Sequence, residues 1–344
     1  MPRAAPLTAV RPLYQQVRVA TTKTTKPTRR RCAASHSPPT TTHSDEKEVR
    51  PGTFEGFTSF RGHTVRYQRA EGNAQCNART VILVHGFGGN CDHFRKNIDE
   101  LAKLGNRVYA VDLLGYGYSD KPDPRQADTN GIYNFDTWSD QILDFAEAVA
   151  PHEKVLICCN SVGGIAGLEA AIKRPEKVAS VMLMNVSLRM LHEKKQAVFA
   201  KPFVAALQRT LRTTGVGPWF FSQIATTQGV GNVLRQCYHD ASAVTDELVE
   251  CILRPGLEPN AVRVFLDFIS YSSGPLPEEQ LAACPVPTSI LWGRHDPWEK
   301  VEWGRELAVH PCVEEFVEVD AGHCPMDEAP SLVNPIIANW ICRH

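Results

Sequence analysis

The sequence predicts a doubly wound α/β fold, in which a mostly parallel sheet with helices on both faces is interrupted by a helical insertion. Short, wholly apolar runs typical of buried parallel strands alternate with segments of helical period. This alternation stops between about residues 188 and 285, where only helical segments occur, and then resumes. We therefore predict an α/β core over residues 51–187 and 286–344, with a helical cap over residues 188–285.

The individual elements follow from hydrophobic periodicity. Two strands around a turn at Arg61-Gly62-His63 open the core. The predicted buried strands are 80–84, 107–111, 155–158, 178–184, 288–292 and 313–319. The predicted helices are 91–104, 134–149, 162–173, 298–308 and one after Pro330 in the core, and 196–212, 229–238, 243–253 and 260–271 in the cap.

The first part of the chain differs in composition from the rest. Residues 1–43 contain eight Lys or Arg and eleven Ser or Thr, and no acidic residue occurs before Asp45. No apolar core of the kind that a secretory signal requires is present in this stretch. We interpret residues 1–50 as a transit peptide and disordered leader. Their Thr, Ser and Pro content favours the chloroplast over the mitochondrion, and a disordered tail or a basic arm is the alternative.

The rest of the chain carries a net negative charge. The 37 Lys and Arg less the eight of the leader leave 29 against 38 Asp and Glu, a formal charge of about −9. This balance argues against nucleic-acid binding, and no apolar stretch is long enough for a transmembrane helix. The eleven cysteines show neither a disulfide framework nor zinc-site spacing, so we expect a reducing compartment and no metal.

One strand-to-helix junction predicts a nucleophilic serine. The sequence Cys159-Asn-Ser161-Val-Gly163 joins a predicted buried strand to a predicted helix. A serine on so sharp a turn is held in strained backbone at the carboxyl edge of the sheet, and small residues are needed on either side. Unpaired amides at the start of the helix are available to a developing negative charge.

Three further segments supply the groups that such a serine needs. The loop His85-Gly-Phe87-Gly-Gly follows the first buried strand, so we expect the amides of Phe87 and Val162 to form an oxyanion hole. Asp296 and His323 each follow a later strand, in the chain order Ser, Asp, His. His85, His93, Asp112, Asp320 and Asp327 are weaker candidates, and we expect Asp112 to shape its loop.

These motifs resemble the α/β-hydrolase superfamily over residues 52–344. The segments His85-Gly-Phe-Gly, 112–122, Asn160-Ser-Val-Gly-Gly and 322–328 are similar to plastid hydrolases of plants and algae, a group that includes pheophytinase and chlorophyll dephytylase. Cys159 departs from the pattern, since glycine is usual there. Ser161, where other branches have Asp, argues against epoxide hydrolases and haloalkane dehalogenases.

The resemblance implies ester hydrolysis through an acyl-enzyme, without a cofactor. Ser161 would be the nucleophile, His323 the base and Asp296 the residue that orients it. Aromatic residues of the cap suggest a small-molecule substrate, a bulky hydrophobic ester. A phytyl pigment ester is favoured, and acyl lipids come next. Trp219-Phe-Phe221 suggests peripheral membrane contact. The alternatives are a lipase or acyltransferase with the same triad, or a non-catalytic ligand-binding receptor on this fold.

Overall fold

A computed structural model describes residues 46–73, 78–126, 128–129, 131–189 and 192–344. Its nine strands form one sheet in the order β1-β2-β3-β5-β4-β6-β7-β8-β9. The first strands pair antiparallel up to β5, and β5, β4 and β6–β9 run parallel. The strands are β1 (Lys47–Arg50), β2 (Thr53–Phe60), β3 (His63–Glu71), β4 (Thr80–Val84), β5 (Arg107–Val111), β6 (Val155–Asn160), β7 (Val178–Met184), β8 (Thr288–Gly293) and β9 (Val313–Val319).

Helices cover both faces of this sheet. The helices of the core are α1 (Ile98–Ala102), α2 (Phe135–Val149), α3 (Val162–Lys173), α10 (Val301–Leu307), α11 (Pro325–Glu328) and α12 (Pro330–Arg343). Between β7 and β8 lie α4 (Lys201–Thr213), α5 (Val216–Ile224), α6 (Thr227–Cys237), α7 (Asp246–Gly256), α8 (Ala261–Ile269) and α9 (Pro277–Ala283). The predicted doubly wound α/β fold with a helical insertion is confirmed.

The apolar runs of the sequence form the central strands of the sheet, which helices bury on both faces. Ile82 and Val84 of β4 belong to one apolar cluster, whereas Val81 and Leu83 belong to the cluster on the opposite face. All four side chains are fully buried. Successive side chains of a strand point to opposite faces, so a strand covered on both faces must be apolar throughout. Among the described residues, no helix is long and apolar enough to span a membrane.

Four details of the prediction need correction. Residues 47–50 form the edge strand β1 rather than the end of a leader, because Glu46 and this strand pair with β2 and β3; the rest of the predicted leader lies outside the described residues. The predicted cap extends too far, since α9 packs on α3 through Gln280. The predicted helix 91–104 is a 3-10 turn at Cys91–Phe94 followed by α1. Helix α5 was not predicted, because its Gly and Pro read as breakers.

Close packing of α3 on β6 depends on a small residue facing Cys159. A Cβ added to Gly167 of α3 would lie 2.4 Å from Cys159 Sγ but 3.8 Å from Cys159 Cβ. The thiol at the position where glycine is usual is therefore accommodated by Gly167, about one and a half turns into the helix. Cys159 is fully buried, and burial raises the pKa of its thiol well above the ordinary value, so it serves as an apolar packing group.

This contact predicts a coupled pair of substitutions. We expect Gly167→Ala to lower the free energy of unfolding by about 1–3 kcal/mol through overpacking, although alanine is the better helix former. Because Cys159→Ala removes the clashing sulfur, the double variant should lose at least about 1 kcal/mol less than the sum of the two single losses. Urea unfolding measures all three variants.

The matched control is Gly231→Ala in α6, where the added Cβ would meet only the flexible side chain of Arg235 at 3.1 Å. It should leave stability unchanged or raise it. Additive losses for the Gly167 and Cys159 variants would show that the two positions do not share this space.

Candidate active site

The turn between β6 and α3 holds Ser161 in strained backbone. Ser161 has φ 53° and ψ −124°, a backbone conformation that residues other than glycine rarely adopt. Its amide donates to the carbonyl of Met184 at 3.0 Å. A Cβ on Gly163 would lie 2.4 Å from the carbonyl oxygen of His85, which explains why this position requires glycine. The predicted sharp strand-to-helix turn is therefore present.

The structure brings Ser161, His323 and Asp296 together in one line of hydrogen bonds. His323 Nε2 lies 2.9 Å from Ser161 Oγ, and His323 Nδ1 lies 2.6 Å from Asp296 Oδ2. An ionised carboxylate only accepts hydrogen bonds, so Nδ1 carries the proton and Nε2 presents its lone pair to the serine hydroxyl. All three residues are buried at the carboxyl ends of parallel strands. This arrangement can withdraw the proton of Ser161 when its oxygen attacks a carbonyl.

The carboxylate of Asp296 is saturated with donors. Oδ1 accepts from the amides of Trp298 at 2.8 Å and Glu299 at 3.0 Å. Oδ2 accepts from Asn185 Nδ2 at 2.7 Å, besides His323. The side-chain oxygen Oδ1 of Asn185 in turn accepts from the amide of Gly293 at 2.9 Å. Asn185 thus fixes the Asp296 loop to the end of β7, and sequence reasoning missed it because its partners lie more than 100 residues away.

The main chain of His323 is fastened from two sides. Its amide donates to the carbonyl of Cys237 at 2.8 Å, at the end of cap helix α6. Its carbonyl accepts from Asn160 Nδ2 at 3.1 Å, and Asn160 immediately precedes the serine. The ring of Trp298 lies 5.0 Å from the His323 ring, centroid to centroid. The imidazole is therefore positioned by the core and the cap together.

The loop after β4 lies directly against Ser161. A Cβ on Gly86 would lie 2.8 Å from Ser161 Cβ, so only glycine lets the loop approach this closely. Phe87 and Val162 both line the cavity into which Ser161 faces. The Phe87 ring packs at 5.3 Å from Phe265 and from Phe268 of α8. This loop therefore also carries the contact between core and cap.

The other sequence candidates lie outside the hydrogen-bonded line. Asp112 is buried and accepts from the amides of Cys91 and Tyr118, which shapes its loop as expected. The ring of His85 contacts the carbonyl of Gly86 through Nδ1 and accepts from the amide of Leu113 at Nε2. Burial lowers the pKa of His85. His93 contacts the hydroxyl of Tyr238, and burial lowers its pKa to about 4.

Asp320 and Asp327, the two alternative acids, contact other partners. Asp327 is fully buried and accepts from Arg95 at 2.6 Å and from Tyr238 at 2.9 Å. Asp320 lies 2.6 Å from His295 Nε2. Asp296 is thus the acid that the structure places against His323.

One surface group contains metal-ligating residue types. Among the described residues, only His239, His295 and Asp320 bring three such side chains close together. The two imidazole rings stack at 3.7 Å with an interplanar angle of 15°. Lone pairs in nearly parallel ring planes run side by side and do not converge on an ion about 2 Å from each nitrogen. The group is accounted for by stacking and by the hydrogen bond to Asp320.

A cavity of about 490 Å³ opens in front of Ser161. Its lining is mainly apolar and comes from the core loops and from α5–α8 of the cap. The two cations in the lining are already bound to main-chain carbonyls: Lys121 contacts Gly117 and Ser119, and Arg189 contacts Tyr271, Ser273 and Pro275. The volume is in the range of small-molecule sites, and the lining suits an uncharged apolar ligand.

The site contains a second acid besides Asp296, Glu299, which sequence reasoning missed. Its Oε1 accepts from the amide of Leu188 at 3.0 Å and from Ser187 Oγ at 3.3 Å. Its Oε2 is buried and has no partner among the described residues. Burial raises the pKa of this carboxyl to about 6, from an ordinary value of 4.5. Only the folded structure reveals it, because its burial depends on residues of the cap junction.

Comparisons with known proteins identify the family of the chain. A family model described as the α/β hydrolase fold matches residues 79–330, so the chain belongs to that family. More narrowly, it resembles the chloroplastic pheophytinase of Arabidopsis thaliana, with 28% identity over an alignment of 327 residues. The match covers 80% of this chain and 64% of the pheophytinase. This chain therefore matches less than two thirds of the length of that relative.

Two other matches show the breadth of the family. The 2-hydroxymuconate semialdehyde hydrolase of Pseudomonas sp. (strain CF600) is 36% identical over 230 residues, covering 63% of this chain and 70% of that hydrolase. The crystal structure of CarC, a serine hydrolase involved in carbazole degradation, superposes with a TM-score of 0.66 at 21% identity, covering 85% of this chain and 100% of CarC. The predicted α/β-hydrolase fold is thereby confirmed.

The raised pKa of Glu299 predicts a pH-dependent contribution to stability. The folded protein binds this proton more tightly than the unfolded chain, so the stabilisation is complete below pH 4.5 and is lost as the pH rises through 6. Relative to Glu299→Gln, the free energy of unfolding of the wild type should fall by about 2 kcal/mol between pH 4.5 and 7. Urea unfolding at a series of pH values measures this difference. The control is Glu302→Gln, an exposed carboxyl three residues further on. Parallel wild-type and Glu299→Gln profiles would contradict the assignment.

Proposed function

We propose that this protein is a serine hydrolase that cleaves a carboxylic ester of a bulky hydrophobic substrate in the plastid. The phytyl ester of pheophytin or chlorophyll is the favoured substrate. One observation carries the proposal: the hydrogen-bonded line from Asp296 through His323 to Ser161 ends at an apolar cavity of about 490 Å³. A buried nucleophile facing such a cavity suits an ester that is itself apolar.

The proposed reaction follows from the positions of the protons. Ser161 Oγ attacks the ester carbonyl carbon as its proton passes to His323 Nε2, 2.9 Å away. The imidazolium that forms is stabilised by Asp296 at Nδ1. His323 then gives the proton to the departing alkoxide, so the alcohol leaves and the acyl group stays on Ser161. A water molecule, deprotonated by His323, hydrolyses this acyl-enzyme and restores the serine.

The negative charge of each tetrahedral intermediate forms beside the amides of Phe87 and Val162. The close approach of Gly86 to Ser161 supports this assignment, because it holds the Phe87 loop against the nucleophile. Val162 is the first residue of α3, where the helix dipole also favours negative charge. Each such donor typically lowers the barrier by about 2.7–4 kcal/mol.

The character of the cavity supports an uncharged substrate. Lys121 and Arg189 both donate to main-chain carbonyls, which leaves fewer of their N–H groups for a substrate carboxylate. The aromatic rings of Phe87, Phe265 and Phe268 supply a surface against which a hydrocarbon chain can pack. The similarity to a pheophytinase supports the choice of a pigment ester. A plastid location is supported by the chloroplastic relative and by the basic, hydroxyl-rich residues 1–43.

The proposal predicts release of phytol from pigments. The wild type should hydrolyse detergent-solubilised pheophytin or chlorophyll, whereas Ser161→Ala should reduce kcat by about 10⁶-fold, since the nucleophile is lost. Phytol is quantified by chromatography, and circular dichroism verifies that the variant is folded.

The outcomes separate the alternatives. Cleavage of acylglycerols or galactolipids without cleavage of pigments would show that the substrate is an acyl lipid rather than a pigment ester. Ester formation with an added alcohol in place of hydrolysis would indicate an acyltransferase. Tight binding of a ligand without turnover of any ester would contradict the enzyme and leave a receptor on the hydrolase fold.

A further inference from the structure

Helix α4 of the cap presents an apolar side to solvent. Phe199, just before the helix, and Phe203 and Leu207 within it follow a spacing of four residues and therefore lie on one side. They are 80%, 76% and 60% exposed, and no residue of α4 is buried. The opposite side packs on α8, where Gln208 donates to the carbonyl of Ile269 and to Ser272. The helix is thus held by its polar contacts, and no described residue covers its aromatic side.

Helix α5 extends this apolar surface and also lines the cavity. Trp219 is 64% exposed and Phe220 40% exposed, and neither lines the cavity. Phe221 and Ile224 of the same helix do line it. One helix thickness therefore separates the outer apolar surface from the space in front of Ser161. We call the surface formed by Phe199, Phe203, Leu207, Val216, Trp219 and Phe220 the cap face.

The charge around the cap face is opposite to that of the rest of the protein. From Lys194 to His239 the chain contains six Lys or Arg and no Asp or Glu, whereas the chain after the leader is acidic overall. Lys194, Lys195 and Arg212 pair with acids of other segments. Lys201 and Arg209 of α4 have no ion-pair partner within the described residues. Basic charge beside exposed aromatic side chains is typical of helices that lie in a membrane interface.

We propose that the cap face docks on a lipid bilayer that carries anionic lipids, so that a lipid-dissolved ester enters the cavity beneath α5. The inference deepens the proposed function and rests on it for the class of substrate. The exposed aromatic rings enter the interface, and the uncompensated basic residues of α4 supply charge complementarity to the headgroups. An apolar surface of this kind would otherwise be an aggregation hazard on a free protein.

Vesicle flotation of the full-length protein tests the docking. With vesicles of phosphatidylcholine and phosphatidylglycerol, Phe203→Ser combined with Trp219→Ser should raise the lipid concentration for half-maximal binding at least tenfold. The matched control is Phe57→Ser combined with Val309→Ser, which removes two exposed apolar side chains outside the cap and should change it less than twofold. Lys201→Glu combined with Arg209→Glu should weaken binding to anionic vesicles and leave binding to pure phosphatidylcholine unchanged.

Flotation does not show which part of the protein touches the lipid, and all variants keep the basic residues before Asp45. Tryptophan fluorescence therefore locates the contact. Vesicles of brominated lipid should quench the wild type and should quench Trp219→Phe markedly less. Of the five other tryptophans, Trp138, Trp292 and Trp340 are buried, and Trp298 and Trp303 lie outside the cap face. Equal quenching of both proteins, or wild-type flotation of the cap-face variant, would overturn the proposal. The proposal would also be overturned if the wild type were a dimer that does not bind vesicles and the Phe203→Ser, Trp219→Ser variant were a monomer. The cap face would then join two copies of the chain.

A soluble short-chain ester separates this proposal from the proposed function. The Phe203→Ser, Trp219→Ser variant should hydrolyse it at the wild-type rate while losing activity on vesicle-borne esters. Vesicle binding without hydrolysis of any ester would refute the hydrolase and retain the docking. Hydrolysis without vesicle binding would refute the docking alone.

Discussion

The backbone of Ser161 is the constraint on which the site depends, because its φ of 53° is unfavourable for any residue with a side chain. Such a conformation costs on the order of 1–3 kcal/mol and persists only where its surroundings enforce it. Here β7 binds the serine amide through Met184, and the amide of Gly164 closes the first turn of α3 on the serine carbonyl. Gly86 and Gly163 leave just enough room for the loop after β4 to lie against the turn. The strain therefore projects Oγ beyond the sheet edge, toward the cavity.

The rest of the triad is assembled by the topology of the parallel sheet. Strands β6, β7, β8 and β9 are successive neighbours, so the loops at their carboxyl ends meet at one edge although they are far apart in sequence. Asparagines connect these loops: Asn160 holds the carbonyl of His323, and Asn185 holds Asp296. The cap takes part through Cys237, whose carbonyl binds the amide of His323. A change in the cap can therefore reach the imidazole through one hydrogen bond.

The sequence predicted those parts of the structure that depend on local pattern. Buried strands and the turn at Ser161 could be found because apolar runs and small residues around a serine have local physical causes, and chain order then indicated Asp296 and His323. Asn185 and Glu299 could not be found, since their roles come from partners more than 100 residues away. The strand at residues 47–50 was missed because its short polar sequence pairs only with the outer edge of the sheet. Packing in the folded state, rather than propensity, decides these cases.

The central claim is that the line from Asp296 through His323 activates Ser161. Reaction with a fluorophosphonate, followed by peptide mapping and a rate measurement, tests it most directly in wild type and Asp296→Asn. The account predicts a single modified residue, Ser161, and a rate that falls by about 10³–10⁴-fold in the variant, because asparagine stabilises neither the required tautomer nor the imidazolium. Modification of another residue, or an unchanged rate in Asp296→Asn, would contradict the account.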